Sequence, residues 1–120
     1  MRRAPVLLLA TLAAVAACSA PDTSPIVSAT WEQSQALPDF DGGPGEVTDP
    51  AQLAALAEVL DDHDIEGQDV SIGESCPGSR STDITYETED GGEFHVSVDT
   101  CEDDEAAQAI DGLVSGWRTS

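Results

Sequence analysis

Lysine is absent from this 120-residue chain, and arginine occurs only at Arg2, Arg3, Arg80 and Arg118. Against these stand 24 acidic residues, all of them after Cys18. A surface of that sign repels phosphate backbones, which argues against nucleic-acid binding. If the acidity is used, it points to a basic partner or to cations; otherwise it serves solubility. Aromatic residues are equally scarce: Trp31, Phe40, Tyr86, Phe94 and Trp117 make up 4% of the chain. Burial must therefore lean on Leu, Val, Ile and Ala, in one small domain that removes roughly 60–65% of its unfolded surface from water. A covalent staple would help such a core. The sequence also lacks a C-x-x-C pair and a phosphate-cradling glycine motif, and its only histidines are His63 and His95. Its apolar run, Pro5 to Ala17, falls short of the about 20 residues that a membrane-spanning helix needs.

What the chain does have is a distinctive beginning. Arg2 and Arg3 precede the uncharged run Pro5 to Ala17, which closes on small residues before Cys18. A basic start, an apolar middle and a small-residue end are the parts of a secretory signal. Val15-Ala16-Ala17-Cys18 resembles the lipobox of bacterial lipoproteins. That resemblance implies cleavage between Ala17 and Cys18, removal of residues 1–17 as a signal peptide, and lipid on Cys18. It also implies a membrane-anchored protein on the outer face of the cell membrane, since acyl chains on one residue give stable anchoring. The Arg2-Arg3 pair invites a twin-arginine export reading, but Pro5-Val6 stands where a strongly apolar pair is expected.

With Cys18 taken by lipid, Cys76 and Cys101 form an even remainder in an oxidising compartment, which reads as one disulfide. Residues 18–48 are rich in Ser, Thr, Pro, Gly and Asp and read as a flexible linker. Within it, the β-branched and aromatic stretch 26–31 could add a short strand. The folded domain is then expected over 49–120.

Asp49 at the N-cap, Pro50 at the first helical position and Gln52 at the capping-box position predict a helix. Its stripe is Leu53, Leu56, Ala57 and Leu60, ending near Asp61-Asp62. Period-two alternation follows at Val70 and Ile72, then at Ile84 and Tyr86, and again at Phe94, Val96 and Val98. Glu89-Asp90-Gly91-Gly92 is a hairpin signal between the last two. Acids from Glu102 to Glu105 open a second helix, with Ala106, Ala109, Ile110, Leu113, Val114 and Trp117 as its apolar side. The expected fold is α+β: a small antiparallel sheet of three or four strands, with two helices on one face and one disulfide.

Two constellations suggest chemistry and fail on spacing. Asp62-His63-Asp64-Ile65-Glu66-Gly67 begins like a calcium-binding EF-hand loop, but the bidentate Glu of position 12 is replaced by Gly73, with Glu74 one residue late. His95, Ser97 and Asp99 are the residue types of a hydrolase triad. On one strand face, however, neighbours at i and i+2 stand about 6.5–7 Å apart, too far for proton transfer. No catalytic, cofactor-binding or metal-ligating residue is therefore assigned, and the chain reads as a non-enzyme without cofactors. Beyond the lipobox, the mature part is similar to small acidic one-disulfide lipoproteins of high-GC Gram-positive bacteria. The order helix, three strands, helix is also similar to small secreted protease inhibitors of the emfourin type. The functional expectation is a surface-exposed binding or interaction domain, for which a basic protein partner would fit. The alternatives are inhibition of a secreted or envelope protease and low-affinity cation binding by the acidic surface.

Overall fold

The computed structural model describes residues 25–120; residues 1–17, expected to be a signal peptide, and Cys18 lie outside the described residues. The elements run β1 (Ile26–Ser34), β2 (Gly45–Val47), α1 (Pro50–Asp62), β3 (Val70–Ile72), β4 (Ser81–Thr88), β5 (Glu93–Asp99) and α2 (Glu105–Arg118). The fold is α+β, with two helices on a five-stranded sheet of order β2-β1-β4-β5-β3. No helix among the described residues is long and apolar enough to cross a membrane.

The sheet differs from the expectation in size and in sense. Five strands form it instead of three or four, and it is mixed, because β3 runs parallel to β5 while the other pairings are antiparallel. The additional strands come from the segment read as linker. Ile26–Ser34 is a nine-residue strand paired along β4, and Gly45–Val47 pairs with it on the other side. Among the described residues the first element thus begins at Ile26, and the strand considered over 26–31 is both present and longer. β3 also does not sit beside β4, as a simple meander would have it. It lies outside β5, so the connection 73–80 passes the end of β5 to reach β4.

The glycines of the β1–β2 connection are explained by packing. A Cβ on Gly45 would lie 2.3–2.5 Å from the Trp31 indole, and one on Gly42 would lie 1.7 Å from the Gln33 carbonyl oxygen. Only a bare backbone lets β2 close against β1 here.

The α1 N-terminus follows the sequence reading: Asp49 accepts from the Gln52 backbone N–H at 3.1 Å, and Pro50 opens the helix. Leu53, Leu56 and Leu60 are buried. The acids at its end form a terminator. Asp64 takes φ 57°, the left-handed conformation that Asp tolerates better than most residues. The Ile65 N–H donates to the Leu60 carbonyl and the Asp64 N–H to the Asp61 carbonyl. This is the Schellman pattern, completed by Ile65 packing on the core. The stretch resembling a calcium loop is therefore a helix stop leading into β3.

Helix α2 starts at Glu105, later than expected, because Asp104 is its N-cap and accepts from the Ala107 N–H at 3.0 Å. Its buried residues are Ala107, Ile110, Asp111 and Val114, so the helix is turned from the expected stripe to bring a carboxylate inward. Both helices cover the sheet face of Ala29, Trp31, Ile84, Tyr86, Val96 and Val98. Tyr86 is buried and accepts from the Gly67 N–H at 2.9 Å, which ties the α1–β3 loop to the core.

Cys76 and Cys101 are bonded, with their Cα atoms 5.6 Å apart. They follow β3 and β5, two parallel neighbours, and so join the exits of both strands at one end of the sheet. Replacing both with Ala should lower unfolding stability by roughly 3.5 kcal/mol, the chain-entropy value for a loop of this size. Chemical denaturation of the parent and variant at equal pH measures it.

Candidate functional site

The residues most unusual for their surroundings lie between β1, β4 and α2. Gln33 and Thr82 face each other across β1 and β4, and both are buried beneath Asp111 of α2. Gln33 Nε2 donates to Thr82 Oγ1 at 3.1 Å and to Ser115 Oγ at 3.2 Å. Arg80 enters from the strand end and grips Asp111 with two bonds, Nε to Oδ1 at 2.6 Å and Nη2 to Oδ2 at 2.5 Å. Such a bidentate pair matches the planar guanidinium to the carboxylate. Hydrogen bonding to Asp111 raises the Arg80 pKa, against the opposing effect of burial. Thr100 holds the Arg80 backbone through an N–H to Oγ1 bond of 2.9 Å.

Arg118 closes the cluster from the C-terminal end of α2. Its Nε donates to Gln33 Oε1 at 2.7 Å, and its guanidinium lies 4.7 Å from the centre of the Phe40 ring. The amide of one buried glutamine thus joins the networks of both arginines, the only ones after Cys18. Every buried side-chain nitrogen and oxygen among the described residues has a hydrogen-bond partner.

The consequence appears on the opposite sheet face, which the helices leave open. Alternation puts Thr30 and Glu32 of β1, Asp83, Thr85 and Glu87 of β4, and Glu93, His95 and Ser97 of β5 there. His95 Nε2 lies 3.2 Å from Asp83 Oδ1, with both side chains about half exposed. The His95 N–H also donates to Asp69 at 2.8 Å. Among the described residues, no lysine or arginine shares this face.

The structure separates the three residues of the triad-like pattern. His95 turns to Asp83 on the neighbouring strand, whereas Asp99 is buried beneath the disulfide loop. There Asp99 accepts from Ser81 Oγ at 2.6 Å and from the Cys101 N–H at 2.9 Å. Burial pushes the Asp99 pKa up, but hydrogen bonds from Ser81, Cys101, Ser79 and Ser75 together outweigh it and hold the carboxyl below the usual value. His63 caps the end of α1. Among the described residues, no three His, Cys, Asp or Glu side chains stand close enough to hold a metal ion.

Sequence reasoning missed Gln33, Thr82 and Asp111. A signal for Asp111 was present, because it interrupts the buried side of α2 between Ile110 and Val114. Comparison with family models, with curated proteins and with solved structures returns no match for this chain.

Two outcomes test this geometry. Asp111→Ala strands Arg80 in a half-buried position, and breaking such a pair should cost about 3 kcal/mol, read by urea denaturation. For Asp99, the folded pKa lies below its ordinary 3.8. Its contribution to stability is therefore complete above that value and is lost as pH falls through the folded pKa. Asp99→Asn should flatten the decline of stability below pH 3.8 relative to the parent, measured by denaturation at a series of acid pH values.

Proposed function

We propose that this chain is an exported lipoprotein whose domain works as a non-catalytic interaction module for a basic partner at the outer face of the cell membrane. The leader 1–17 is removed, Cys18 carries the lipid, and the stapled domain is presented from it. The order of Arg2-Arg3, the apolar run and Val15-Ala16-Ala17-Cys18 supports export and anchoring. A Cys76–Cys101 disulfide agrees with an oxidising compartment.

One observation carries the interaction reading: Arg80 and Arg118 are both engaged at the β1–β4–α2 junction, so the outward charges are almost all carboxylates. A field of one sign steers a cationic partner and raises its association rate. The hydroxyls and the imidazole among the carboxylates of the open sheet face add hydrogen-bonding groups to that field.

The test has two arms. Mass analysis of the membrane-extracted protein should show an acyl adduct at Cys18, and Cys18→Ser should shift the chain to the soluble fraction. In affinity capture from envelope extract, one basic protein should remain bound at about 0.15 M salt, where screening reaches about 8 Å. Release of every captured protein at that salt would reduce the acidity to solubility. Turnover of a substrate that disappears in His95→Ala would overturn the non-catalytic reading.

A further inference from the structure

Among the described residues, a groove of the opposite character lies on the surface. It lies where the chain enters the domain, has a volume of about 410 Å³, and is lined by uncharged side chains, among them Pro25, Val27, Pro50, Leu53, Ala54 and Ala57. Its two walls are the start of β1 and the first turns of α1. The register between β1 and β4 shifts between Ile26 and Ser28, so Val27 is an extra residue in the strand. Such bulges redirect a side chain, and Val27 is 45% exposed, one of two large apolar side chains that stand out among the described residues. In a chain that is 23% charged, a continuous uncharged lining is a departure.

We infer that this groove rests on the apolar–polar boundary of the lipid bilayer and fixes the orientation of the anchored domain. The inference rests on the reading of Cys18 as the lipid attachment point. The geometry is set by length: the six residues between Cys18 and Pro25 cannot hold these two farther apart than about 25 Å. A lipid on Cys18 therefore keeps the groove, whose wall Pro25 is, within that distance of the bilayer. β1 then leads away from the anchor, and over its nine residues it carries Ser34 and Leu37 about 25–30 Å from the groove end. The disulfide-bonded end of the sheet, next to Ser34 and Ser81, faces outward.

Charge sets the lipid dependence. The Glu89 N–H donates to the Pro25 carbonyl at 2.8 Å, which places the acidic β4–β5 turn beside the groove. An anionic bilayer repels that turn, and salt screens the repulsion. Contact is thus favoured on neutral lipid at all salt concentrations, and on anionic lipid only as salt rises. That order is opposite to the one for a protein held by basic residues.

The experiment uses the full chain, processed in a bacterial host and reconstituted into vesicles of neutral phosphatidylcholine or of mixed phosphatidylcholine and phosphatidylglycerol. A polarity-sensitive fluorophore is placed on Ala54→Cys in one sample and on Leu37→Cys in another. Flotation and the Cys18 adduct mass are recorded for each. The expected result is a blue shift and loss of aqueous quenching at position 54 on neutral vesicles, with no change at position 37. On mixed vesicles the shift at position 54 should grow with salt. A protein that floats while both positions report water overturns the inference and leaves the anchoring intact. Equal shifts at both positions also overturn it. Failure to float, with Cys18 unmodified, overturns the anchoring and the inference together.

Discussion

The hydrogen-bonded grip of Arg80 on Asp111 is the constraint from which much of this architecture follows. A buried ion pair is weak evidence for stability, since apolar replacements are often neutral or better, but removing one partner leaves a costly charge behind. Here the pair determines which way α2 faces. With Asp111 directed inward beside Ile110 and Val114, the helix can sit only where Arg80, Thr82 and Gln33 meet its carboxylate. Gln33 carries the constraint onward to Arg118 and so to the far end of the same helix. The same arrangement takes both cations of the domain out of the outward-facing charge pattern. Interior specificity and surface acidity are two results of one placement.

Local signals were legible where the chain alone determines the structure. The Asp49-Pro50 start and the leucine stripe of α1 needed no distant partner, nor did the Glu89–Gly92 turn. Cys76 and Cys101 were readable by elimination. The misreadings lie where distant residues decide. Strand β1 shows in the sequence only as a possible short strand over 26–31, because its outward positions, Ser, Thr and Glu, match linker composition. Its inward series, Ala29, Trp31 and Gln33, ends in a polar residue that makes sense only beside Thr82 and Asp111. The parallel placement of β3 was equally hidden, since three residues state a strand without stating its neighbour. For the site, the paired His95 and Asp83 come from different strands, so no spacing within one strand could join them.

The acids after α1 show how a local cost can serve a fold. Asp61, Asp62 and Asp64 oppose the helix dipole, yet Asp64 supplies the left-handed turn that ends the helix, and Ile65 then packs on the core. The loop is next fixed by Tyr86 through the Gly67 N–H. Acid-rich composition, which resembles a cation loop in sequence, is here a means of stopping one element and aiming the next.

The pairing of β1 with β4 has a kinetic side. Ile26 meets Thr88 and Ser34 meets Ser81, so the centre of the sheet is made from residues far apart along the chain. Contacts of such separation form slowly, because the loop between them must be closed before it is rewarded. A chain synthesised N-terminus first holds β1 without its main partner until β4 has emerged. Completion of the sheet, and alignment of Cys76 with Cys101, therefore waits until β5 and the residues just after it have followed β4.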